Sequence, residues 1–309
     1  MKIRLLVALS TLVCAWTAVA DEAPETGTQL VLLGTAGGPA VKKGRSQPAN
    51  AVVVNGDIYI VDAGDGVSRQ LLLAGFSVTK VRAVFITHNH SDHMADYGTL
   101  LYRSWATGRR ELTQAFGPAP LKKITQDYLE YMRWDIENRP SNANRAPLRD
   151  LISVHEIDGD GLIYEDENVK VTVFPVSHGA GTPAYGYRFD TADKSIVFSG
   201  DTAPNENVIN AARDVDILVH EVLNVGWVDA LLGPVSPENE ALRKHLLRNH
   251  TSTDEVAEIA NKSGAKLLVL SHFAGTGDPV FDRPEVWEAA VRKNYSGPLV
   301  LGEDLMIID

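Results

Sequence analysis

Short apolar, β-branched runs recur along this chain, and the stretches between them carry apolar residues on one helical face. Val81-Arg82-Ala83-Val84-Phe85-Ile86, Val169 to Ser177, Ser195 to Gly200, Asp216 to Val219 and Lys266 to Ser271 have the composition of strands in a covered sheet. Gly66 to Ala74, with Leu71-Leu72-Leu73 as its core face, and His93 to Trp105 read as helices. Thr253 to Ala260 opens on an N-cap candidate with acidic residues in its first turn, and Pro284 to Lys293 carries proline near its start. This alternation predicts an α/β fold; on pattern alone it allows a doubly wound sheet as well as a two-sheet sandwich. With 309 residues and 44% apolar content the chain can bury one large core, and no internal repeat divides it.

The chemistry sits where the strand patterns end. Val81 to Ile86 runs into Thr87-His88-Asn89-His90-Ser91-Asp92-His93. His178, Asp201 and His272 each follow another apolar run. One such residue is ordinarily a cap or a surface group. Four strand ends in one chain, one of them bearing His-x-His-x-Asp-His, converge on a metal site. Imidazole and carboxylate suit Zn²⁺, with Mn²⁺ or Fe²⁺ as alternatives. There are more ligands than one tetrahedral ion needs, so two metals are expected. Two ions about 3.5–4 Å apart can hold a bridging hydroxide as nucleophile.

With these residues in view, the sequence resembles the metallo-β-lactamase superfamily. Within it, it is similar to the tRNase Z-like branch and most of all to the zinc-dependent arylsulfatases. The likeness is carried by Leu33-Gly34-Thr35-Ala36-Gly37-Gly38-Pro39, Arg45, the Ile58-Tyr59-Ile60-Val61-Asp62-Ala63-Gly64 strand and turn, and the ligands in family order. It implies an αββα sandwich over residues 29 to 309. It also implies roles: His88, His90 and His178 on a first zinc, Asp92, His93 and His272 on a second, Asp201 bridging, and Asp62 orienting ligands by hydrogen bonds. His220-Glu221 and His250-Thr251-Ser252 stand where tRNase Z relatives carry His-Glu-Ala-Thr and His-Ser-Thr. His250, held by Glu221, is therefore expected to act as general acid, with a buried structural pair as the plainer reading. Asp92 is counted among the catalytic groups, and His220 among those supporting the ligands. His155 and His245 have no such context and read as structural or surface residues.

The N-terminus modifies this picture. Met1-Lys2-Ile3-Arg4, the apolar Leu5 to Val19 and Ala18-Val19-Ala20 before Asp21 have the form of a secretory signal peptide. Residues 1–20 are thus expected to be removed, leaving a hydrolase domain at 21–309 in the periplasm or outside the cell, with no membrane association. Cys14, the only cysteine, falls within the signal, so the mature chain forms no disulfide. Formal net charge is −11, or −13 without Lys2 and Arg4. That acidity disfavours polyanions, and export separates the protein from precursor tRNA. The resulting expectation is a small anionic ester substrate, above all an aryl sulfate, and no nucleic acid. The alternatives are a phosphodiesterase, then a lactonase or β-lactamase, and last a zinc-binding protein without activity. Residues 117 to 147 form an insertion with a helix from Ala119 to Trp134 and a loop from Asn138 to Arg145. It is expected either to pack as a surface helix or to serve as a lid or homodimer contact.

Overall fold

The computed structural model describes residues 27–139, 146–179, 181–275, 277, 280–281 and 283–309. The expected signal peptide lies outside them. Two seven-stranded sheets face each other. The first contains β1 (Thr28–Gly34), β2 (Ala49–Val54), β3 (Asp57–Val61), β4 (Val81–Phe85), β5 (Thr113–Pro118) and β6 (Ile152–Ile157). The second runs through β7 (Gly161–Glu165), β8 (Val169–Pro175), β9 (Tyr185–Thr191), β10 (Ser195–Phe198), β11 (Ile217–Leu223), β12 (Leu267–Ala274) and β13 (Leu299–Leu301). β14 (Met306–Ile308) returns to pair with β1. Each sheet is mixed: β1–β2–β3 and β7–β8–β9–β10 pair antiparallel, while β3–β4–β5 and β10–β11–β12 pair in parallel.

Three apolar layers hold the molecule. Leu30, Tyr59, Phe85, Tyr187, Phe189 and Val219 fill the space between the sheets, with the Phe85 and Phe189 rings edge to face at 5.3 Å. Truncating a ring such as Phe85 to alanine costs about 3–5 kcal/mol. Outside the first sheet lie α1 (Val67–Leu73), α2 (Ser91–Met94), α3 (Tyr97–Thr107), α4 (Leu121–Tyr131) and α5 (Arg133–Asn138). The second sheet is covered by α6 (Glu206–Ala211), with α7 (Val225–Leu232) and α8 (Glu240–Asn249) toward one end, then α9 (Thr253–Ser263) and α10 (Pro284–Val291). This is the αββα sandwich expected from the resemblance, not a single doubly wound sheet.

Local departures have local causes. Of Leu71-Leu72-Leu73 only Leu71 is buried; Leu72 and Leu73 are 72% and 51% exposed, because consecutive helical residues point about 100° apart. The helix expected from His93 to Trp105 is two helices meeting at Asp96, the N-cap position of α3. Likewise Ala119 to Trp134 divides at Met132 into α4 and α5. α9 is capped by Ser252 rather than Thr253, in a capping box with Glu255. β11 and β12 continue past the ends read from pattern and carry His220, Glu221 and His272 inside them. Most of the loop expected at 138–145 lies outside the described residues.

Candidate metal centre

The strands of both sheets deliver their polar residues to one end of the sandwich. Asp62 leaves β3 with φ 62° and His272 sits in β12 with φ 45°, conformations that cost a side-chain-bearing residue on the order of 1–3 kcal/mol. At His272 the cause is a β-bulge: Glu221 pairs with Ser271 and Val222 with Phe273, so His272 is the extra residue turned out of the ladder. Asp201 follows Gly200, which has φ 59°; a Cβ there would stand 2.7 Å from the Tyr185 carbonyl oxygen. A Cβ on Gly37 would meet the His272 ring at 2.9 Å. Glycine at these two positions lets the backbone approach the centre.

The seven expected ligands come together in two groups around Asp201. On one side His90 Nδ1 is 2.9 Å from His88 Nε2 and 3.1 Å from His178 Nε2. Asp201 Oδ2 lies 4.0 Å from His88 Nε2 and 3.8 Å from His178 Nε2. On the other side Asp201 Oδ1 is 3.4 Å from His93 Nε2 and 3.2 Å from His272 Nε2. Asp92 Oδ2 closes that group at 3.6 and 3.5 Å from the same nitrogens. All of these ligands are buried except His90.

A cation fits both groups. His93 Nε2, His272 Nε2 and Asp201 Oδ1 are buried without hydrogen-bond partners, yet they face one another. Donor atoms of His88, His90 and His178, and likewise of Asp92, His93 and His272, lie within 4.8 Å of one another. Imidazole nitrogens and carboxylates at such spacing have the chemistry of a divalent-metal site.

The surrounding hydrogen bonds set which nitrogen each ring presents. Asp62 accepts from Thr87 N at 2.8 Å and Thr87 Oγ1 at 3.0 Å, and pairs with His93 Nδ1 at 2.8 Å, turning Nε2 inward. His178 Nδ1 donates to the Asn249 carbonyl at 2.9 Å, and the Gly38 N–H donates to Asp92 Oδ2 at 3.0 Å. Gly38 belongs to a loop tied down by Asp304, which accepts from Thr35 N at 3.0 Å, Thr35 Oγ1 at 2.7 Å and Gln70 Nε2 at 3.2 Å. Asn249 and Asp304 were not singled out from the sequence; Gly38 and Thr87 stood there only within the glycine-containing turn and the histidine cluster, without a role.

Charge is arranged to hold a cation. Burial opposes ionisation of Asp201, yet His272 and His93 outweigh it and hold its carboxyl well below the usual range. Burial likewise opposes charge on Asp92, and the nearby His272 and His93 imidazoles bring its pKa down to about 2. Burial keeps His88 neutral and lowers His178 to about 4. His220, also pushed down to about 4 by burial, donates from Nδ1 to the Glu221 carbonyl at 2.7 Å and so sits behind the centre. His250 differs. Burial disfavours its charge, but the Glu221 carboxylate, 2.8 Å from Nδ1, overcomes this and lifts it to about 9. Glu221 is fixed in turn by Thr202 N at 2.7 Å. His250 Nδ1 is 3.9 Å from Asp201 Oδ2, so the imidazole stands beside the centre.

A paired, buried set of imidazole and carboxylate donors at the strand ends of an αββα sandwich defines a metal-dependent hydrolase. The beta-lactamase superfamily domain matches residues 58–273, and the chain belongs to the metallo-β-lactamase superfamily. It is similar to the ribonuclease Z of Mycobacterium sp. (strain KMS), with 30% identity over 280 residues, 90% of this chain and 94% of the relative. Among solved structures it resembles human tRNase Z, short form, at a TM-score of 0.66 and 20% identity, covering 91% of this chain and 98% of that one. It also resembles Zn²⁺-bound PqqB from Methylobacterium extorquens, at 0.65 and 15%, over 91% and 99%.

These relatives overturn two expectations. Aryl sulfate as substrate gives way to ribonuclease Z, whose name denotes action on RNA, and special closeness to the arylsulfatases is not shown. The exclusion of nucleic acid falls with it. The physical reasons are plain. Sulfate and phosphate esters ask for the same metal donors, so the ligands could not separate them. Net charge averages over the whole surface, whereas the field at a site is set by the ions and side chains within it.

Proposed function

We propose that this protein is a dinuclear zinc phosphodiesterase that hydrolyses the phosphodiester backbone of RNA. The observation that carries this reading is similarity to ribonuclease Z over 90% of the chain, joined to a centre that retains every expected ligand. His88, His90 and His178 would hold one ion, Asp92, His93 and His272 the other, with one Asp201 oxygen toward each. Bound divalent ions supply Lewis acidity toward a phosphoryl oxygen and toward water.

The chain's own residues do the rest. Asp92 and Asp201 provide the negative charge that retains the ions. Hydrolysis adds water across one P–O bond, and the departing alcohol oxygen needs a proton. His250 supplies it, and Glu221 keeps the imidazole charged and oriented until transfer.

The test is turnover of bis-p-nitrophenyl phosphate and of an RNA with a 3′ extension by the zinc-loaded protein. Cleavage of both is expected, and its loss in Asp201→Ala. Full metal occupancy with no hydrolysis of either substrate would reject the reading.

Export remains a separate proposal resting on residues 1–20. N-terminal sequencing of the protein from the periplasm or medium should begin at Asp21. Intact Met1 on protein confined to the cytoplasm would refute it.

A further inference from the structure

The centre opens to solvent at His90, the exposed ligand. The element at that opening is α8, which runs directly into His250. Its last residue, Asn249, accepts from the ligand His178 through its backbone oxygen at 2.9 Å. The Asn249 side-chain amide lies 3.5 Å from where a Cβ would stand on Gly179, next to that ligand. The same amide donates to His245 Nδ1 at 2.8 Å, one turn earlier. A neutral His245 therefore carries its proton on Nε2, which has no partner among the described residues.

The composition of α8 stands against that of the whole protein. Arg243, Lys244 and Arg248 face a single acidic residue, Glu240, in a chain of net charge −11. Arg243 is bound to Asp229 and Lys244 to Glu240. Arg248 is exposed and has no acidic partner among the described residues. Lys244, His245 and Arg248 are spaced four and three apart, so they share one helical face. That face offers an unpaired guanidinium and an imidazole N–H beside the open edge of the centre.

We propose that this face of α8 binds the phosphate next to the scissile one, with Arg248 pairing to its oxygens and His245 donating from Nε2. The proposal rests on the phosphodiesterase reading and deepens it by assigning residues to the phosphate that adjoins the scissile one. A single-phosphate ester would be cleaved at the centre but would leave α8 unused. Guanidinium is suited to this role, since it donates in a fork to two phosphate oxygens.

The test compares bis-p-nitrophenyl phosphate, which has one phosphate, with a short single-stranded oligoribonucleotide, over a range of salt. Zinc-loaded wild type, Arg248→Gln, Arg248→Lys and His245→Gln are measured on both. Arg248→Gln should lose about tenfold more kcat/KM on the oligoribonucleotide than on the small ester, chiefly through KM, and flatten the logarithmic salt slope by about 0.7. Arg248→Lys should recover part of the loss and His245→Gln should show a smaller one. Equal changes on the two substrates, or an unaltered salt slope, would overturn the role of α8 and leave the phosphodiesterase reading standing. If wild type cleaves neither substrate, both readings fall.

Discussion

The two ligand groups around Asp201 differ in composition and in setting. His88, His90 and His178 contribute only imidazoles, and His90 is exposed. Asp92, His93 and His272 include a carboxylate, are buried throughout, and rest on Asp62, the Gly38 N–H and the His272 bulge. Neutral donors at an open edge retain an ion less firmly than a carboxylate in a closed pocket held by fixed partners. On the proposed reading the groups would have different duties: the closed one would retain its ion, and the open one would meet substrate.

The strongest way to break this comparison is Asp201→Ala, which removes the residue common to both. We expect loss of both metal equivalents and a fall in kcat/KM of roughly 10⁴-fold, read by elemental analysis and kinetics on the same sample. Retention of both ions with turnover intact would dissolve the bridged arrangement. His250→Gln should keep both ions yet lower kcat by about 10²-fold or more, most for poor leaving groups. An equal loss for every leaving group would remove its part as proton donor.

Two smaller effects sharpen the contrast. Asp62→Asn should weaken metal binding at the closed group by about 10–100-fold, while His90→Ala should empty the open group alone. Stepwise titration with Co²⁺, followed by its visible spectrum, separates the two; identical titrations would show that the groups are not distinct. The last effect is a control remote from both. Lys266, with the Ser195 hydrogen bonds, holds Asp216 down at about 2. A carboxyl depressed in the folded state stabilises above its unfolded pKa of about 4 and loses that contribution as pH falls toward 2. Asp216→Asn should therefore cost about 1 kcal/mol at neutral pH, flatten the acid limb of the stability profile and leave metal occupancy unchanged.

How much of this was legible in the sequence depended on how local its cause was. The His88-to-His93 cluster, Asp62, His178 and Asp201 follow apolar runs, and a strand end fixes direction by itself. The sandwich followed from the resemblance, since alternation alone left two architectures open. His272 and Glu221 were recognised as site residues, but their place inside strands was not, because a bulge is created by the neighbouring strand's register. His245 read as surface and is exposed; only the packing of α8, whose Asn249 holds both His245 and His178, brings it toward the centre. Substrate class was the least legible, since seven ligands specify the ions and say little about what the ions will attack.

Asp304 adds a consequence in time rather than space. It grips Thr35 across 269 positions of sequence and so locks the loop whose Gly38 N–H steadies Asp92. A chain emerging from the ribosome exposes its histidine cluster long before Asp304 is synthesised. Until then the loop has no anchor, and the closed ligand group lacks both this support and His272. The nascent protein therefore carries metal-binding residues without a finished centre, and catalytic competence arrives only after nearly the whole described chain has been made.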